Sequence, residues 1–259
     1  VFTTTASIGF APAQQPAAAS VPDAPTASKE HSATEEALAE LRQHRPQAAF
    51  DLLSRAIAEN PDDAAANLLA ATTAIELDRP DLAVAYGERA RALEPDNWKI
   101  DTTLVTAYAM AGKLHERDAE RAKLRAVHAA GKEPDARQTS GFLLDRFTVK
   151  RYRVDAVEYF APVGKFHIYY CFFVRNGDGR RVWQINVQSD DYNQASWAKA
   201  YPQQAAQGQR QFQLTGEGDG VRNDYRTFSG SPDYDWVKAR VLDIINAQSV
   251  AFPGESTKG

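Results

Sequence analysis

Two periods of apolar residues divide the chain. Between residue 32 and about residue 130 apolar positions recur three and four apart, the spacing that lines one side of an α-helix. Beyond Phe142 the period moves toward two, the spacing that lines one face of a strand. Before residue 31 neither period holds. That segment is rich in Ala, Pro, Ser and Thr, carries little charge before Asp23, and lacks the apolar side chains needed to offset its ordering entropy. The pattern predicts a disordered or extended Ala/Pro-rich arm over 1–30, a helical unit over 31–131, a linker over 132–141, a strand-rich unit over 142–250 and a flexible tail over 251–259.

Six helices are expected, at about 32–44, 46–59, 63–77, 80–93, 97–111 and 113–130. Ser32 followed by Glu35 has the form of a capping box. Pro46 and Pro80 suit first helical positions, where a missing N–H costs nothing. Asp62 and Asp96 are placed to cap the helices that follow Pro61 and Pro95. The block also repeats itself. Arg45, Pro46, Ala49, Arg55, Ala56, Ala58, Pro61 and Asp62 recur 34 residues downstream as Arg79, Pro80, Ala83, Arg89, Ala90, Ala92, Pro95 and Asp96. A fixed offset of that length marks a two-helix unit copied and stacked, because neither copy buries its apolar stripe alone.

The unit resembles the tetratricopeptide repeat. Ala49, Leu53, Ala56 and Pro61, and again Ala83, Ala90 and Pro95, stand where that family places small residues at the helix contact and a proline at the exit. Gly87 departs from the pattern, so the contact there is expected to be loosened or filled by Tyr86. A third copy starts at Trp98, with Leu104 and Tyr108 at first-helix spacing and Val105 in place of the usual glycine. Its second helix carries Arg117 and Arg121 where alanine and an aromatic residue belong, and is expected to be a terminal cap facing water.

The resemblance spans roughly residues 32–130. It implies a curved array whose concave face is lined by Ala65, Leu68, Thr72 and Ile75, then Lys99, Thr102, Thr106 and Ala109, and whose partner is another protein or peptide. The paired Asn and Lys or Arg residues by which chaperone-binding relatives clamp a C-terminal carboxylate are missing from this stripe, so that function is not carried over. The other occupant to weigh is the chain's own C-terminal unit or N-terminal arm.

In the second half, Tyr152–Phe160, Lys165–Arg175, Arg181–Gln188, Arg210–Thr215 and Val221–Phe228 read as strands. Asn176-Gly177-Asp178-Gly179 supplies a hairpin turn between the second and third of these. A short helix is expected over 190–201 and a stronger one over 233–248, with Val237, Val241, Ile244 and Ile245 as its apolar stripe. A meander followed by a helix defines a two-layer antiparallel α+β unit. Phe166, Ile168, Tyr170, Phe172 and Val174 share one face of the central strand. The other face, with His167, Tyr169, Cys171 and Phe173, is too apolar to stay wet and is expected to be covered by the array, by connecting segments or by a second protein.

Composition narrows the function classes. The 259 residues are 43% hydrophobic and 25% charged, enough for two cores. A net charge of -4 and a pI near 5.8 argue against nucleic acid as a partner. No apolar run approaches the roughly 20 residues of a bilayer span. The lone Cys171 excludes an intramolecular disulfide and reads as core. The sequence opens on Val1, and Phe10-Ala11-Pro12-Ala13 resembles the end of a secretory leader, so a periplasmic or secreted bacterial setting is expected, an Ala/Pro linker being the alternative.

Candidate chemistry is sparse. His167, Gln184 and Asn186 form a ligand face if their strands pair about the 176–179 turn, against the plainer reading of a structural histidine. Asp190, Asp191 and Asn193 lack the oxygen spacing of a calcium loop and read as a cap. Gly216, Gly218 and Gly220 alternate with Glu217 and Asp219, carboxylates that would repel a phosphate. Trp183, Trp197 and Trp236, with Tyr192 and Tyr201, raise carbohydrate stacking against a core role. No Gly-x-Ser-x-Gly elbow or metal-ligand histidine spacing is present, and no cofactor is expected. These readings converge on a non-enzymatic protein–protein interaction or assembly factor, with an accessory subunit of an envelope complex as its finer form. The alternative is an enzyme or small-ligand binder in the C-terminal unit.

Overall fold

The computed structural model describes residues 26–131, 141–160, 166–207, 209–218, 221–230 and 233–248. Three helical hairpins come first: α1 (Thr26–Arg42) with α2 (Pro46–Glu59), α3 (Ala64–Glu76) with α4 (Pro80–Leu93), and α5 (Trp98–Met110) with α6 (Leu114–Ala129). Pro46 and Pro80 open α2 and α4 as the sequence predicts. The other N-terminal signals need correction. Because α1 already runs from Thr26, Ser32 lies inside it and not ahead of its first turn, and the expected arm is helical over its last residues. Residues 1–25 lie outside the described residues, as do the linker positions 132–140 and the tail. The caps after the exit prolines fall one residue later than expected. Asp63 accepts from the Ala66 N–H at 2.9 Å and Asn97 from the Lys99 N–H at 3.1 Å.

The sequence offset reappears in the backbone. His44, Asp78 and Gly112 sit in the turn between the two helices of each hairpin with φ of 57°, 55° and 71°. In each turn the next N–H reaches back to a carbonyl of the first helix, from Arg45 to Glu40, Arg79 to Ala74 and Lys113 to Tyr108, at 3.0, 2.9 and 2.9 Å. Only the third turn uses the residue for which a positive φ carries no steric cost. Gly87 has its own explanation. A Cβ there would meet Leu104 Cδ2 at 2.7 Å, so the gap left by the missing side chain is filled from α5 by Leu104 and not by Tyr86. Tyr86 instead packs edge-on against Phe50, centroids 5.9 Å apart.

The second half is a six-stranded antiparallel meander in sequence order: β1 (Gly141–Val149), β2 (Tyr152–Tyr159), β3 (Phe166–Arg175), β4 (Arg181–Asp190), β5 (Arg210–Gly218) and β6 (Val221–Gly230). Two helices, α7 (Asp191–Ala200) and α8 (Pro202–Ala206), precede β5, and α9 (Tyr234–Ala247) closes the unit. Strand β1 is one more than the five expected. Its alternation is interrupted by a bulge between Leu143 and Asp145 and by the charged pair Asp145-Arg146, which hides a strand from a period-two reading. The 176–179 turn forms as predicted. Asn176 Oδ1 accepts from the Asp178 and Arg180 N–H groups, and Gly179 takes φ of 76°.

One core serves both halves. Tyr170, Phe172 and Val174 pack with Trp183, Ile185, Val187, Phe212 and Leu214, with Val237, Val241 and Ile245 of α9, and with Val105 of α5 and Leu124 of α6. The array thus covers the face that α9 covers, not the opposite one. On the opposite face Cys171 is buried and Phe173 is half-buried, whereas the bulge between Ile168 and Tyr170 lets Tyr169 pack against the shared core beside Tyr170. Lys150, in the tight β1–β2 turn, donates to the carbonyls of Ile245, Asn246 and Gln248 at the C-terminus of α9.

The three turns generate a paired expectation. Gly112→Ala lowers stability by about 1–2 kcal/mol, while Asp78→Gly is neutral or stabilising, because only the first adds a Cβ to a left-handed residue. Urea unfolding midpoints of the two variants measure this.

Candidate partner-binding surface

The first helices of the three hairpins present the concave side, but its two ends differ. Ala65 and Thr72 are exposed and Leu68 is half-buried on α3, and Lys99 and Thr102 of α5 also reach solvent. Ile75, Thr106 and Ala109 are buried. The cause lies in β1, the edge strand of the sheet, which runs against α5. Thr106 Oγ1 donates to the Leu143 carbonyl at 2.5 Å, satisfying an acceptor of an otherwise unpaired strand edge. Glu76, at the C-terminus of α3, holds the same corner through Arg146 at 3.0 Å and Arg153 at 3.7 Å. The third repeat of the groove is therefore filled by the chain's own C-terminal unit, and Thr106 and Ala109 are packing positions there. The hydroxyls of Thr72 and Thr102 donate to the carbonyls of Leu68 and Lys99, so both residues offer methyl groups outward.

The charged side of α6 is an interface and not a face turned to water. Arg117 is 2% exposed, donates to both oxygens of Asp235 at 2.9 and 3.1 Å, and lies 5.4 Å over the Tyr234 ring. One turn on, Arg121 donates to Glu158 at 2.8 Å and Arg125 pairs with the other oxygen of the same carboxylate. Asp145 of β1 is buried and accepts from the Tyr234 hydroxyl and the Lys238 ammonium, each at 2.6 Å. Burial, then the Asp145 carboxylate, pushes the Tyr234 hydroxyl well above its ordinary range, so it stays a donor. Two-point geometry and full pairing are what let such charges sit away from water.

A second charged cluster joins α4, α5 and α6. Asp101 and Glu120 are both buried, and Glu120 pairs with Arg91 and, at 3.0 Å, with Lys123. Burial, reinforced by the Glu120 carboxylate, raises the Asp101 carboxyl to about 6. Tyr108, which donates to Glu88 at 2.8 Å, is pushed up to about 12 by burial and by that bond.

The open end of the groove carries a cleft of about 750 Å³. Thr34, Glu35 and Leu38 of α1, Ala64 and Ala65 of α3, and Asn60, Asp62, Asp63, Leu93 and Glu94 line it. Its four carboxylates face no lysine or arginine among the described lining residues. Asp63 spends one oxygen on its cap and Glu94 one on Asn97, while Glu35 and Asp62 are exposed. Sequence reasoning missed this cleft because its acidic residues lie in three separate segments. The signal was the Asp62-Asp63 pair beside an exit proline.

The proposed ligand face in the sheet does not assemble as expected. Gln184 Nε2 does donate to Asn186 Oδ1 at 2.9 Å. His167, however, pairs with Ser189, whereas Gln184 and Asn186 pair with Phe173 and Cys171. The separation follows from the hairpin itself, because His167 lies farther from the 176–179 turn than Gln184 and Asn186 do, and the bulge between Ile168 and Tyr170 changes the parity of the strand there. Cys171 is core, its thiol raised by burial. Of the aromatic residues weighed for sugar stacking, Trp183 and Trp197 are buried and Trp236 and Tyr201 are exposed. The side chains of Asp190, Asp191, Tyr192 and Asn193 and the loop residues Asp219 and Gly220 lie outside the described residues. No helix among the described residues is long and apolar enough to cross a membrane.

Stacked antiparallel helical hairpins with a concave inner side define the first half as a repeat scaffold. Residues 40–86 match the family Tetratricopeptide repeat. Among solved structures the chain is similar to the second TPR domain of human RPAP3 in complex with the HSP70 peptide SGPTIEEVD, at 16% identity over 43% of this chain and 91% of that one, with a TM-score of 0.39. It is also similar to the second TPR of Spaghetti (RPAP3) bound to the HSP90 peptide SRMEEVD, at 18% identity over 38% and 94%, TM-score 0.37. The Arabidopsis OM64 TPR domain is a third, at 18% identity over 44% and 92%, TM-score 0.38. No curated protein matches the chain.

The buried arginine sets up an asymmetry. Arg117→Met leaves Asp118 and Asp235 as half-exposed carboxylates and is mild, whereas removing both carboxylates together strands a buried cation and costs about 3 kcal/mol or more. Chemical denaturation of the two variants decides it.

The pH dependence of stability has two limbs. Asp101 binds its proton more tightly when folded, so its contribution is complete below its ordinary value of 3.8 and is lost as pH rises through about 6. Asp118 and Asp235 act in the other sense. For Asp235 the bond from Arg117 lowers the carboxyl, and for Asp118 the bonds from Arg117 and Arg121 outweigh a larger upward push from burial, so their contribution is lost as pH falls below 3.8. Stability is expected to peak in the mildly acidic range, about pH 4–5. Asp101→Asn flattens the high-pH side of the profile, as read from urea midpoints against pH.

Proposed function

We propose that the chain is a non-enzymatic interaction or assembly factor that receives an extended segment of another protein along the first two repeats of its groove. The observation that carries this reading is the seating of β1. An extended strand lies against α5, and one of its carbonyls is satisfied by a groove threonine. The groove therefore accommodates extended backbone, and its first two repeats remain open for a partner. Ala65, Leu68, Thr72, Lys99 and Thr102 are the residues we assign to that contact. Ile75 supports it from beneath. The acidic cleft beside Ala65 selects the partner's chemistry: a segment with lysine or arginine side chains pairs with Glu35 and Asp62, while an acidic one is repelled. A role as accessory subunit of an envelope complex is the finer form of the same reading, supported by the leader-like Phe10–Ala13 stretch.

Fluorescence anisotropy with extended arginine-rich and glutamate-rich peptides of equal length tests the assignment. The basic peptide is expected to bind, more weakly as salt rises, and the Glu35→Lys/Asp62→Lys double variant to lose about tenfold or more in affinity. Equal binding of both peptides, or indifference to the double variant, would overturn the reading.

A further inference from the structure

A second cleft, of about 440 Å³, opens on the seam between α6 and the β2–β3 pair. Its size falls within the usual range for small-ligand pockets, and seams between structural units are where such pockets concentrate. Rings dominate its walls. Tyr159, Phe160, Tyr169 and Tyr170 line it from the strands, and His128 from α6 stacks on Phe160 with centroids 4.9 Å apart. Phe160 is backed in turn by Phe142 at 5.0 Å, so the wall is fixed from behind.

The charges at the cleft are paired but unequally exposed. Glu158 is 3% exposed, and its two oxygens are taken by Arg121 and Arg125. Arg121 is itself largely buried and braced by Asp118. Arg125 differs, because its side chain is 54% exposed and the bond to Glu158 engages one terminal nitrogen of its five-donor fork. Glu158 is thus taken up by two guanidinium groups, while the fork of Arg125 keeps open donors at the rim of an aromatic hollow. The Tyr170 hydroxyl, raised to about 12 by burial and by Glu158, keeps its proton and adds no negative charge.

We propose that this cleft binds a small aryl carboxylate, the carboxylate pairing with the open side of the Arg125 fork and the ring lying among Tyr159, Phe160 and Tyr169. An anion is selected by the open donors of the Arg125 fork, since both oxygens of the carboxylate beside them are already engaged. A flat body is selected because aromatic walls favour stacked or edge-on rings over bulkier shapes. A ligand seated there touches α6, β2 and β3 at once and so bridges the two halves of the chain. The site is separate from the groove assigned to a protein partner and does not depend on that assignment.

Benzoate, benzamide and benzylammonium, matched in ring and differing in charge, are the probes. Titrated into the full chain and followed by calorimetry and ligand-observed NMR, benzoate is expected to bind with a dissociation constant of about 1 mM or tighter, benzamide roughly tenfold more weakly and benzylammonium not measurably. Arg125→Gln is expected to bring benzoate down to the level of benzamide. Ala129→Trp, which fills the cleft from the exposed last turn of α6 without altering its charges, is expected to abolish both. Three results would overturn the proposal: no benzoate binding at about 20 mM, benzylammonium binding as tightly as benzoate, or benzoate binding unchanged in Arg125→Gln. Should Ala129→Trp fail to fold, the ligand series and Arg125→Gln still decide the matter.

Discussion

A guanidinium sealed from water joins the two halves of this chain. Arg117 is almost sealed from water and is neutralised by carboxylates at its edge, so α6 and α9 cannot separate without breaking its two-point pairing with Asp235. Arg121 and Arg125 repeat the arrangement against Glu158 of β2. Between these pairs Leu124 and Val105 enter the same apolar core as the sheet. Polar pairing fixes the register of α6 on the sheet, and apolar burial supplies the bulk of the attraction. The repeat array and the meander are consequently one mechanical body wherever α6 lies.

That union decides how the groove is used. A superhelical array normally presents its inner curve from end to end, but here the third repeat spends its inner helix on the edge of a sheet. An edge strand carries a row of unpaired donors and acceptors that invites association with other chains. Covering β1 with α5 removes that liability and at the same time shortens the surface available to a partner. The uncovered part is acidic at one end and methyl-rich along its length.

Much of the architecture is legible in the sequence because its signals are local. The duplicated block, the exit prolines and Pro46 and Pro80 place both ends of five helices within a residue, and Val237, Val241 and Ile245 identify the buried side of α9. What escaped has a shared cause. The caps moved from Asp62 and Asp96 to Asp63 and Asn97 because adjacent polar residues compete for one orphan amide, and only geometry chooses between them. Strand β1 and the position of His167 were hidden by bulges, which change the parity of a strand without changing its composition. Arg117 and Arg121 were visible as departures from the repeat pattern, but a charge that faces water and one that faces a buried carboxylate look identical in a sequence. The groove stripe was identifiable as a stripe. Its division into open and filled parts was not, since the filling segment lies 37 residues away from Thr106.

The seating of β1 on α5 also sets an order of events. During synthesis the array leaves the ribosome first, and its contacts are short-range in sequence, so it can form while the meander is still being made. The first strand to emerge then finds a finished surface waiting, with Thr106 in place to accept it. The remaining strands add one after another onto a template whose outer edge was never free, and a topology that would otherwise pass through an aggregation-prone stage is assembled from an anchored start.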